Sequence, residues 1–104
     1  MERIETQAKL WRWQSATAPA AWHFFTIEGA AADAIRVAAM MGQWLDGPRG
    51  FGSAKVSVQI GETVWKTSVF PDKASGGWFL PVKKAVRTAE DLNEGDFVQL
   101  IISL

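Results

Sequence analysis

Two residues, Gly61 and Glu62, separate two runs that alternate apolar and polar side chains. In residues 53–60, Ala54, Val56, Val58 and Ile60 fall on one face, and Lys55, Ser57 and Gln59 on the other. Strict alternation matches the two-residue period of a pleated strand and not the 3.6-residue period of a helix. A two-residue connection joins antiparallel strands, so 53–60 and 63–70 are predicted to form a hairpin. Any fold for this chain must cover one face of that hairpin.

The flanking segments supply the cover. Residues 5–13 alternate, with Ala8, Leu10 and Arg12 on one face and Lys9, Trp11 and Trp13 on the other. Residues 15–20 read as a loop broken by Pro19, and the aromatic run AWHFFTI (21–27) as a second strand. Residues 29–41 carry Ala31, Ala34, Ile35, Ala38 and Met41 at helical spacing. Alanine is the best helix former, so a helix is expected there. Residues 42–52 hold four glycines and a proline and are expected to be irregular. After a turn at 71–77 come a short strand (78–80), a helix opened by Pro81 and closed by a glycine turn, and a last strand ending at Leu104. The order β-β-α-β therefore occurs twice. It predicts one domain over 1–104, mainly β with two helices (α+β). The barrel is closed or double-split with an approximate twofold, and the helices cover its ends or flanks.

Bulk properties narrow the function. Eleven basic residues balance eleven acidic ones, so no long-range field attracts nucleic acid or an anionic membrane. There is no cysteine, hence no disulfide and no thiolate metal site. No apolar run reaches the ~20 residues of a membrane span, and the N-terminal segment lacks a signal peptide's apolar core. A cytoplasmic location is expected.

Four motifs carry a family resemblance: RGFG (49–52), TSVFP (67–71), LPVKKAVR (80–87) and EGDFV (94–98). With them, residues 49–104 resemble a small bacterial domain-of-unknown-function family, number nineteen-oh-five. The first half fits more loosely, with IEGAAADAIR where the family tends toward a proline–acid helix start. The resemblance implies a closed or split barrel with helices and no established activity. It also implies members that occur alone or joined to a bacteriocin-protection or porin-associated domain; no such domain is expected here. Residues 78–100 are also similar to AbrB-type swapped-hairpin domains, many of which dimerise and bind DNA.

The segment LPVKKAVRTAEDLNEGD (80–96) holds the main candidate site. Lys83, Lys84 and Arg87 stand at the front of its helix, Glu90 and Asp91 at the back, against the helix dipole. The charges admit two readings. The cations bind a phosphate or carboxylate, or Arg87 pairs with Asp91 while the lysines meet acids such as Asp46, Asp72 or Glu94. Arg49, in the glycine loop, could present a guanidinium fork to the same anion; that loop fits no phosphate-loop or dinucleotide fingerprint. Ser68 shares a strand face with Lys66 and Phe70, and Lys73 follows in the adjacent turn. His23 is the only histidine, so no histidine-rich metal site can form, and it reads as a strand residue rather than a general base. Most tryptophans are expected to fill the core; Trp11 and Trp13 share a face with Lys9, so one or two are expected at a rim or an interface.

The sequence thus implies a non-enzymatic binding module without cofactor, metal or catalytic set. Its candidate ligand residues are Arg49, Ser68, Lys73, Lys83, Lys84 and Arg87. The expected partner is a small anion or another protein, not nucleic acid or membrane. An AbrB-like DNA-binding regulator is the alternative, and an enzyme carried by Ser68 or His23 the third reading.

Overall fold

The structure, a computed structural model, describes residues 3–17, 21–46 and 52–104, with the backbone alone for 42–46. Six strands and two helices follow in the order β1 (Arg3–Gln14), β2 (Ala21–Ile27), α1 (Gly29–Asp46), β3 (Ala54–Ile60), β4 (Thr63–Asp72), β5 (Gly77–Pro81), α2 (Lys84–Ala89) and β6 (Phe97–Ser103). The strands close into a barrel in the order β1-β2-β5-β4-β3-β6. Exchanging β1, β2 and β3 for β4, β5 and β6 leaves that order unchanged, which is the twofold that the repeated β-β-α-β order predicts.

Two long strands make the closure possible. β1 pairs with β6 through Arg3–Lys9 and with β2 through Leu10–Gln14. β4 pairs with β3 through Thr63–Val69 and with β5 through Phe70–Asp72. Each leaves one neighbour and joins another part-way along, the split of a split barrel. Where β1 changes partner, Leu10 N–H donates to Asp96 O (2.9 Å) and Gly95 N–H donates to Leu10 O (2.8 Å). The backbone polar groups at the split are therefore paired.

The inward faces are the apolar halves of the alternating runs: Ala8 and Leu10; Phe25 and Ile27; Val56, Val58 and Ile60; Trp65 and Val69; Trp78 and Leu80; Val98, Leu100 and Ile102. Among the described residues no polar or charged side chain is buried. α1 covers the barrel end where β5 begins: Trp78 Nε1–H donates to Ala32 O (3.1 Å), and the Arg36 guanidinium donates to Gly76 O. α2 covers the opposite end. There its buried Val86 faces the core, and Thr63 Oγ1–H donates to Glu90 Oε2 (2.6 Å), tying α2 to the β3–β4 hairpin.

Three expectations change. α1 does not stop at Met41 but runs through Gly42 to Asp46. One interior glycine costs only about 1 kcal/mol, and an established helix propagates past it. Residues 47–51 lie outside the described residues. Pro81 does not open α2; it ends β5, paired with Phe24. A proline cannot donate to a ladder, so a strand's last position suits it as well as a helix's first turn. α2 consequently spans six residues, with Lys83 as its N-cap and Arg87 in its last turn, where a cation suits the dipole. Finally, of Trp11, Trp13, Trp22, Trp65 and Trp78, only Trp65 and Trp78 are in the core. The other three lie on outward strand faces.

Candidate functional site

β1, β2, β5 and β4 are consecutive in the barrel, and their outward faces are unusually aromatic. Cross-strand register sets the rows: Trp11, Phe24 and Pro81 form one, and Thr26, Phe79 and Phe70 the next. On the other side, Trp13 pairs with Trp22. The rings touch. Trp11 lies 5.0 Å from Phe24 and 5.7 Å from Phe79, and Trp22 stacks on Phe24 at 6.3 Å with 13° between planes. Trp11 is fixed by Nε1–H donating to Thr26 Oγ1 at 2.9 Å. Together Trp11, Trp13, Trp22, Phe24, Phe70, Phe79 and Pro81 line a groove of about 540 Å³. Its walls are open to solvent, with Trp13 48%, Trp22 55% and Phe70 44% exposed.

A basic region adjoins one end of the groove. Trp22 and Pro81 also line a smaller groove with Trp65, Lys66, Thr67, Val82 and Lys83. Antiparallel pairing explains the meeting. Trp22 lies two residues before Phe24 and Lys83 two after its partner Pro81, so both fall in the next row. Lys66 and Thr67 continue into a third groove with Lys55, Ser57, Ser68 and Ser103. Among the described residues no acidic residue lines any of the three. Among the described residues the ion pairs are Arg3–Glu5 and Arg36–Asp33, and Lys55, Lys66 and Lys83 take part in neither.

A family model described as a domain of unknown function, DUF1905, matches residues 7–102, from β1 into β6. The chain belongs to the DUF1905 family. The match takes in both halves of the barrel, including the first half, whose motifs fit more loosely. No curated protein matches the chain.

The DUF1905 barrel brings some of the expected site residues together and separates others. Lys83 lines the smaller groove with Lys66 and Thr67, and Ser68 lies one groove further along. Lys84 is exposed beside Lys83. Arg87 turns back on its own segment, with Nε–H donating to Val82 O at 3.4 Å. Among the described residues it pairs with neither Asp91 nor another acid. Lys73 sits in the β4–β5 turn, at the α1 end of the barrel and opposite Lys83. Asp72 in that turn accepts from Ala74 N–H (3.1 Å) and Ser75 Oγ–H (2.7 Å) and is not a lysine partner. Arg49 lies outside the described residues. The sequence reading missed Lys55, and it noted Lys66 only as a strand neighbour of Ser68. The signal available was that Lys66, Ser68 and Phe70 share a face.

His23 lies on the inward side of β2, opposite Arg12 in β1, and its carbonyl accepts from Val82 N–H at 2.9 Å. Its Nδ1 is buried and has no hydrogen-bond partner among the described residues. Burial lowers its pKa, Arg87 and then Arg12 lower it further, and Glu94 opposes them. Among the described residues no cluster of three or more His, Cys, Asp or Glu side chains is placed to hold a metal ion, and no helix is long and apolar enough to cross a membrane.

Proposed function

We propose that this DUF1905 protein is a small, non-enzymatic binding module of the bacterial cytoplasm that holds a small anion between Lys66 and Lys83. One observation carries the reading: two exposed lysines, Lys66 and Lys83, line one groove with Thr67, and among the described residues no acidic residue lines it. Unpaired lysines on a concave surface are a point-charge site for phosphate or carboxylate. Ser68 and Lys55 extend the same band. The six-residue α2 adds Lys83 through its N-cap position, not through a helix dipole. Thermal melts in phosphate, nucleotides and carboxylates, with wild type and Lys66→Glu/Lys83→Glu compared, test it. At least one anion raises the wild-type melting temperature and leaves that of the variant unchanged. Identical melting temperatures in all conditions would sink the anion site.

A further inference from the structure

We infer that the anion recognised by this DUF1905 protein carries a planar aromatic ring system, which lies in the tryptophan-lined groove while its carboxylate or phosphate reaches Lys66 and Lys83. The inference rests on the proposed anion site and names the class of ligand it takes. Continuity is the first ground. Trp22 and Pro81 line both the aromatic groove and the lysine groove, so one molecule can span them. Size is the second: about 540 Å³ lies within the range of small-molecule sites, which are mostly apolar with a few placed polar groups.

Ring chemistry is the third ground. The floor is built of aromatic faces and edges held in place before any ligand arrives. Trp11 is hydrogen-bonded to Thr26, and Phe24 contacts Trp11, Trp22 and Phe79. Flat rings prefer offset stacking or edge contact with such surfaces. Trp13, Trp22 and Phe70 are exposed around this floor, a contiguous apolar surface of the kind that marks binding sites on soluble proteins. Charge fixes the orientation. Lys66 and Lys83 stand at the Trp22 end, whereas the Phe70 end leads to Asp72, whose carboxylate its own turn already uses. An anionic group is therefore complementary to the Trp22 end.

Aromatic carboxylic acids and mononucleotides share this chemistry, and a titration with separate arms tells them apart. The ¹⁵N-labelled protein is titrated with 2-naphthoate and with AMP, following the indole N–H resonances. Inorganic phosphate and 2-naphthalenemethanol serve as anion without ring and ring without anion. The expected result is that 2-naphthoate or AMP binds at least tenfold more tightly than either half-ligand. Trp22→Ala reduces that affinity to the level of phosphate, and Lys66→Glu/Lys83→Glu reduces it to the level of 2-naphthalenemethanol. All three positions are exposed, and circular dichroism checks that the variants are folded. If phosphate binds and adding a ring gains nothing, this inference is overturned and the anion site stands. If the ring alone binds as tightly as the ring with its anion, the anion site falls too. A concentration-dependent dimer, lost in Trp22→Ala and indifferent to 2-naphthoate, assigns the face to a second copy and also overturns it.

Discussion

His23 is a residue whose surroundings couple stability to pH. Its Nδ1 is buried without a partner among the described residues, and two arginines, Arg12 and Arg87, act on it against the single acid Glu94. Its pKa in the folded state lies below the ordinary value of about 6.5. The unfolded chain thus binds the proton more readily, and unfolding free energy rises with pH across that interval. The stabilisation from neutral His23 is fully present above about pH 6.5. It is lost as pH falls from there through the lowered folded value. Urea denaturation between pH 7.5 and 5 is expected to show wild type losing stability with a slope that His23→Gln reduces. Equal slopes would mean that His23 does not feel this environment. The histidine's role as a strand residue was legible from its place between aromatics. The two arginines beside it were not, because Arg12 and Arg87 are 75 positions apart in the chain and only barrel closure joins them.

At the scale of elements, strand faces were easier to read than helix ends. Alternation put Val56 and Val58 inward and set Trp11 and Trp13 on one face with Lys9, and that face is the outward one. Helix limits depend on competition between neighbouring elements, which periodicity does not report. Pro81 is compatible with both a strand end and a helix start, and pairing with Phe24 decides for the strand. That shift moved Arg87 from the front of α2 to its last turn, while Lys83 and Lys84 stay at the front and Glu90 is the C-cap. The division of the tryptophans is testable at this scale. Trp78 is 5% exposed and bonded to Ala32 O, whereas Trp13 is half exposed. Trp78→Phe loses that hydrogen bond and leaves a void, and is expected to cost about 1–3 kcal/mol. Trp13→Ser is expected to stay within about 0.5 kcal/mol of wild type. Urea midpoints at unchanged m-value provide the comparison, and equal losses would contradict the assignment of inside and outside.

For the whole molecule, closure creates the candidate site. β2 and β5 are remote in sequence and adjacent in the barrel, and β4 lies next to β5. Only this order brings Trp22 of β2, Lys66 of β4 and Lys83 after β5 to one groove. The repeated β-β-α-β order made a barrel legible, and the motifs at 67–71 and 80–87 made the family legible. Which strands would be neighbours was not readable, since alternation assigns a face but not an adjacent strand. The lysine pair, with Trp22 beside it, therefore emerged only from the structure. Its most direct test is a crystal structure of the protein grown with 2-naphthoate in excess. The account predicts the carboxylate between the ammonium groups of Lys66 and Lys83, with the rings against Trp22. An empty groove, or Lys66 and Lys83 held by carboxylates of the chain's own Asp46 or Glu94, would contradict it.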